Sequence, residues 1–123
     1  MLEHVNITVS DPAATADWLG RVFGWHTRWH GAALSGGTTY HVGDDASYVA
    51  LYCPPTPPRD GRSSYETRAA LNHVGVQVDD LDATEARVIA EGFTPVNHGD
   101  YEPGRRFYFR DHDFVEWEVV SYA

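Results

Sequence analysis

The chain has 123 residues, 42% hydrophobic and 22% charged, enough for one folded domain with a real core and too apolar for a disordered chain. Nine Lys and Arg against 18 Asp and Glu leave a formal net charge of -9, which repels phosphate backbones and anionic membrane surfaces, so neither nucleic acid nor membrane is an expected partner. A lone cysteine, Cys53, excludes a disulfide framework and any CxxC motif; with no signal-peptide pattern and no apolar run near the roughly 20 residues that span a bilayer, a cytoplasmic protein is expected.

The first element is LEHVNITVSD, starting at Leu2. Strand alternation over 2–9 puts Val5, Ile7 and Val9 on one face and His4, Asn6 and Thr8 on the other. Ser10, Asp11 and Pro12 then form a helix start, because Asp11 can cap free N–H groups and Pro12 suits the first turn. Trp18, Leu19, Val22 and Phe23 recur at helical spacing, and Gly24 ends the helix. A further strand is expected over 25–30. TYHVGDDASYVAL, over 39–51, is two apolar runs around a Gly-Asp turn, hence a hairpin. CPPTPPRDGRSSYETRAA follows over 53–70, without periodicity and stiffened by proline at its start, and reads as a linker.

The chain then repeats itself. LNHVGVQVDD, starting at Leu71, places Leu, His, Val, Val and Asp as the first strand does. Val74, Val76 and Val78 share one face; His73, Gly75 and Gln77 share the other. Asp79 and Asp80 precede a helix with Leu81, Ala86, Val88 and Ile89 as its apolar stripe and Gly92 as its stop. After a strand expected over 93–98, FYFRDHDFVEWEV over 107–119 lies on the first hairpin at an offset of 68, with Tyr40 over Tyr108 and Asp45 over Asp113. The expected unit is therefore βαβββ, used twice: an α+β fold with module 1–53, linker 54–70 and module 71–123.

In the last strand, alternation sets Val115, Trp117 and Val119 toward the core and Phe114, Glu116, Glu118 and Val120 on the opposite face. Pseudo-twofold repetition turns the polar faces of first and last strands toward each other, so His4, His73 and Glu118 are expected to converge. Two imidazoles and one carboxylate suit a borderline divalent ion and leave its other positions open to water or substrate.

The repeated HVxIxVxD-like start, the DPAATADWLGRVFGW helix and the closing FYFRDHDFVEWEVV resemble the vicinal oxygen chelate superfamily of glyoxalase I, bleomycin-resistance and fosfomycin-resistance proteins and extradiol dioxygenases. The resemblance spans almost the whole chain. It implies a single glyoxalase-like domain over 1–123, with paired modules forming a U-shaped cavity around one divalent ion (Fe, Mn, Ni or Zn). The ligand positions it implies map onto His4, Ala50, His73 and Glu118. Ala50 lies over Glu118 in the repeat, so the fourth ligand is missing and classical glyoxalase I chemistry is disfavoured. What remains is dioxygenase-like or Lewis-acid lyase or transferase chemistry on a small oxygen-rich chelating substrate.

Tyr108 matches a substrate-touching tyrosine of the fosfomycin group. Glu116 is a candidate base or outer-sphere carboxylate beside Glu118. Asn6, Thr8, Tyr48 and Gln77 are candidate orienting donors, and Arg106, with Arg105, a candidate grip for an anionic substrate. His26, His30, His41, His98 and His112 have no repeat-matched partner and are expected at the surface or in loops. The superfamily's usual DPDG turn is replaced by Asp111-His112-Asp113-Phe114, without its glycine. Two-module relatives imply a homodimer with shared sites, His4 of one chain joining His73 and Glu118 of the other. The alternative is a non-catalytic small-molecule or antibiotic-binding protein of the bleomycin-resistance type, its Trp and Tyr rings stacking on flat ligands.

Overall fold

In the computed structural model, which describes residues 1–34 and 36–123, the chain runs β1 (His4–Thr8), α1 (Pro12–Phe23), β2 (His26–Ala32), β3 (Thr38–Gly43) and β4 (Tyr48–Cys53). It then repeats the order as β5 (Val74–Gln77), α2 (Leu81–Ala90), β6 (Val96–Tyr101), β7 (Gly104–Arg110) and β8 (Glu116–Ser121). The expected α+β architecture of two tandem βαβββ modules is present. The modules fall in two compact units, Met1–Arg59 and Asp60–Ala123. No helix among the described residues is long and apolar enough to cross a membrane.

Each unit holds one four-stranded sheet, ordered β1-β4-β3-β2 in the first and β5-β8-β7-β6 in the second. The first and last strands of each module run parallel, and the rest of each sheet is antiparallel. Helix caps fall where the sequence places them. Asp11 accepts from the Ala14 N–H at 3.1 Å and Asp80 from the Ala83 N–H at 2.9 Å, satisfying N–H groups the first turn leaves open. Gly24 closes α1 with φ 72, a left-handed value that glycine takes without a Cβ penalty.

α1 lies against β2, β3 and β4 and buries Trp18, Leu19 and Val22, which with Ile7, Val42, Val49 and Leu51 make up the first core. Full burial of such side chains contributes about 1.5–3 kcal/mol each. The second core holds Leu81 and Val88 of α2 with Val76, Phe107, Phe109, Trp117 and Val119. Here the expected stripe needs correcting: Thr84 is buried, while Ile89 is 58% exposed and Ala86 also faces solvent. Periodicity alone does not choose between adjacent faces of a short helix, and the Leu81, Thr84, Val88 row is the one that meets the sheet.

A second correction concerns the hairpins. β3 pairs Gly43 with Tyr48, whereas β7 pairs Arg110 with Glu116. The second turn, 111–115, is therefore one residue longer than the first, 44–47. A constant offset of 68 fails before the turn, because one inserted residue flips every side chain upstream of it to the other face. Opposite Ala50 stands His41, as Tyr108 stands opposite Glu118; Tyr40 pairs with Leu51 on the core side instead. Asp44 and Asp111 become the matched turn residues: Asp44 Oδ1 accepts from the N–H groups of Ala46 and Ser47, and Asp111 Oδ1 from those of Asp113 and Val115.

The added residue also takes Phe114 out of β8. It sits in the turn at φ 62 with its ring 76% exposed. A left-handed conformation costs an L-residue about 1–2 kcal/mol, and the exposed ring recovers little of it. Phe114→Gly is expected to stabilise the protein by about 0.5–1 kcal/mol after glycine's own entropy cost, raising the denaturant midpoint without changing the slope. An unchanged or lower midpoint contradicts this reading.

Candidate functional site

Alternation along β8 sends Trp117 and Val119 into the core and Glu116 and Glu118 to the face away from α2. The hairpin register sets Tyr108 beside Glu118 and Arg110 beside Glu116, with Arg106 on the same face two residues before Tyr108. His73 precedes β5, whose Val74 pairs with Trp117, so the imidazole reaches the two carboxylates. His73, Glu118, Glu116, Tyr108 and Arg106, all singled out from sequence, meet on one sheet face.

His73 Nε2 lies 3.0 Å from Glu118 Oε2, and its Nδ1 lies 2.7 Å from Asn72 Oδ1 and 3.9 Å from Glu116 Oε2. The other Glu118 oxygen accepts from Arg106 Nη1 at 2.9 Å. Glu116, only 6% exposed, accepts a short hydrogen bond from the Tyr65 hydroxyl and has Arg110 Nη2 at 3.5 Å. Each carboxylate thus has one guanidinium as counter-charge, as groups this far from water require. Tyr108 meets the His73 ring edge-on at 5.8 Å. Burial, and then the adjacent Glu118 charge, hold its phenol above the usual tyrosine range, so its hydroxyl is a proton donor at neutral pH. Arg105, on the opposite face, pairs with Asp82 of α2 at 3.1 Å.

In the first unit the equivalent face carries His4, Asn6 and Thr8, paired in register with Tyr48, Ala50 and Tyr52. Ala50 offers no donor where Glu118 stands in the other module. His4 Nδ1 lies 2.5 Å from Glu3 Oε1. The His4 ring stacks on Tyr48 at 5.0 Å, Tyr48 on His41 at 4.5 Å, and His41 meets Trp29 at 5.1 Å, a column crossing all four strands. Arg28 lies over the same Tyr48 ring at 4.7 Å. Burial holds the His41 imidazole below the usual histidine range, so it is neutral at physiological pH. Of the five histidines expected at the surface or in loops, His41 is the one that joins this column. His98 pairs with Glu85, His30 stacks on Tyr40, His112 approaches Phe93, and His26 is exposed. Gln77 is exposed opposite Val120.

The donor chemistry can be tested against a metal ion. A proton on His73 Nδ1, directed at Asn72, leaves the Nε2 lone pair facing a carboxylate oxygen 3.0 Å away. Two acceptors hold that separation only with a cation between them, either a shared proton or a metal. Two ligands each about 2.1 Å from one ion, at near a right angle, stand about 3 Å apart, so the pair fits one coordination edge. Among the described residues no group of three or more His, Cys, Asp or Glu is placed to hold an ion. The second unit therefore supplies two donors, and His4 belongs to the first.

Seven residues of these surroundings were not singled out from sequence: Glu3, Arg28, Trp29, His41, Tyr65, Asn72 and Arg110. Asn72 and Glu3 were within reach, since each directly precedes a repeat-matched histidine. His41 was hidden by the offset, and Tyr65 by its place in a segment without periodicity.

Two tandem βαβββ modules, each with a histidine at or just before the start of its first strand, are the architecture of a glyoxalase-like protein. The chain belongs to the Glyoxalase/Bleomycin resistance protein/Dioxygenase superfamily, whose sequence profile matches residues 1–119. No curated protein matches the sequence. Among solved structures, the glyoxylase/bleomycin resistance protein/dioxygenase domain from Frankia sp. EAN1pec is 21% identical with a TM-score of 0.83, covering 98% of this chain and 90% of that one. The fosfomycin resistance protein FosX from Listeria monocytogenes, complexed with Mn(II) and sulfate, is 20% identical with a TM-score of 0.72, covering 98% and 91%. TioX from Micromonospora sp. ML1 is 22% identical with a TM-score of 0.71, covering 100% and 99%. At these identities the likeness is one of fold.

Proposed function

We propose that this protein is a divalent-metal-dependent enzyme acting on a small, oxygen-rich substrate that chelates the ion through two oxygens, with His4, His73 and Glu118 as ligands. The observation that carries the proposal is the 3.0 Å approach of His73 Nε2 to Glu118 Oε2, an imidazole nitrogen and a carboxylate oxygen spaced as two ligands on one coordination edge. When bound, such an ion supplies Lewis-acid polarisation of substrate oxygens. Arg106 fixes the Glu118 carboxylate through its second oxygen. Tyr108 donates a hydrogen bond or a proton to an oxygen on which charge develops. Glu116, tied by Tyr65 and Arg110, steers His73 as an outer carboxylate and is not a free base. Asn6, Thr8, Tyr48 and Gln77 are orienting donors in this reading. Gly75 pairs with Glu118, and a side chain there would meet nothing within 4 Å, which leaves room beside the carboxylate for substrate. With alanine at position 50, dioxygenase-like or lyase and transferase chemistry suits the donor set better than isomerisation through a fourth protein ligand.

The test is metal analysis and titration of protein purified without a histidine tag, against His73→Ala. The expected result is one divalent ion per site in the parent protein and an affinity at least about 100-fold weaker in the variant, since one of three protein ligands is gone. Equal metal content in both sinks the proposal.

A second reading has its own observation: the His4–Tyr48–His41–Trp29 column is a built aromatic surface, and Trp29 is 49% exposed on it. On that reading the protein sequesters a flat small molecule without turning it over. Tight ligand binding untouched by a chelator favours it, whereas turnover lost with chelator and restored by one metal favours the enzyme.

A further inference from the structure

We infer that Tyr101, seated on Gly99, is a positioning residue whose ring holds the Arg106 guanidinium against Glu118 and so aims that carboxylate at His73. The register of β6 and β7 carries the arrangement. Gly99 pairs with Arg106 and Tyr101 with Gly104, so Tyr101 and Arg106 are diagonal neighbours on one face, a spacing that an aromatic ring can span. Tyr108 and Glu118 share that face. A Cβ at Gly99 would stand 2.6 Å from Tyr101 Cε1 and 3.5 Å from Arg106 Cγ, so the glycine leaves the place that the ring takes beside the arginine. Arg106 Cζ then lies over the ring, 5.1 Å from its centre, within cation–π range.

Hydrogen bonding alone does not fix the guanidinium. Arg106 donates from Nη1 to Glu118 Oε1 at 2.9 Å, while its buried Nε meets no acceptor among the described residues. A single hydrogen bond leaves the planar group free to turn about it. The ring removes that freedom, because a guanidinium keeps its charge at any ordinary pH and is drawn to the π face beside it. Glu118 passes the effect on: one oxygen is held by Arg106, and the other lies 3.0 Å from His73 Nε2, so a turn of the guanidinium moves the oxygen that faces the imidazole. Tyr101 is 61% exposed, which sets the contact at the strength such pairs have near water. The benefit to a bound ion rests on the metal reading above; the hold on Arg106 does not.

The experiment follows the Arg106 Nε–H signal and its exchange with water in arginine-labelled, metal-free protein, together with Mn(II) titration. In the parent protein the signal is expected upfield of the other arginines, shielded by the ring, and slow to exchange. Tyr101→Leu should abolish the upfield shift, speed the exchange and weaken Mn(II) about 2–5-fold, the equivalent of one cation–π contact near water. Gly99→Ala keeps both side chains but fills the seat, and should act as Tyr101→Leu does. Tyr101→Phe puts the ring back and should restore both readouts. In an Arg106→Met background, itself about 10–100-fold weaker, Tyr101→Leu should add nothing, which separates positioning from general damage to the fold. A parent-like Nε–H signal in Tyr101→Leu, or an equal loss of Mn(II) affinity with and without Arg106, overturns the inference. The expected Nε–H behaviour in a parent protein that binds no Mn(II) upholds the hold on Arg106 and sinks the metal reading alone.

Discussion

Asp111→Ala is expected to cost about 3–5 kcal/mol and to unfold the second unit well before the first in a denaturant titration. The Asp111 carboxylate is 4% exposed, and all three of its side-chain partners are donors: the N–H groups of Asp113 at 2.9 Å and Val115 at 3.1 Å, and the Trp117 indole N–H at 3.0 Å. Removing the acceptor orphans three donors, one of them on a fully buried indole, at about 1–3 kcal/mol each less whatever water recovers. Set against a total stability of about 5–15 kcal/mol, the loss is large. Burial pushes the Asp111 carboxyl above the ordinary aspartate range, and the three hydrogen bonds pull it back only in part. By sign, the unfolded chain ionises first as pH rises through the aspartate range, so this group's ionisation subtracts stability toward neutral pH. The turn tolerates that cost because it locks Trp117 in the core and sets the start of β8, from which Glu116 and Glu118 project. Trp117→Phe in the Asp111→Ala background should recover part of the loss, since no indole N–H is then stranded. A loss below about 1 kcal/mol in Asp111→Ala contradicts this account.

Mixing two inactive variants is expected to recreate metal sites. If the proposed site takes His4 from one chain and His73 with Glu118 from its mate, neither His4→Ala nor Glu118→Ala protein binds the ion alone. After the two are unfolded and refolded together, random pairing makes about half the dimers mixed, each with one intact site of two, so about a quarter of parent capacity returns. The motivation is physical: each unit is near the size at which one core is marginal, and each turns a polar sheet face away from its own helix, of the kind that closes against another layer. Sites closed within one chain return nothing on mixing. That result, or a sedimenting monomer with full metal, leaves His4, His73 and Glu118 together in one chain and removes the dimer from the proposal.

Local physics in the sequence determined most of the architecture. Asp-Pro and Asp-Asp caps, apolar periodicity and two matched strand starts were enough to place both helices and the βαβββ repeat, because each depends on side chains within a few residues of one another. Strand alternation likewise put Glu116, Glu118 and His73 on a common side of the second sheet, where they meet. The register between strands was decided only by the tertiary structure. One extra residue at 111–115 shifts β7 against the repeat, replaces Tyr40 by His41 as the counterpart of Tyr108, and leaves Phe114 in the turn; hydrogen-bond register is a property of two strands, and neither strand's own sequence records it. The partners of charge were equally invisible. Arg106 on Glu118, and Arg110 with Tyr65 on Glu116, join residues brought together by the pairing of β7 with β8 and by the return of the connecting segment, since burying a carboxylate requires a counter-charge without specifying which arginine supplies it.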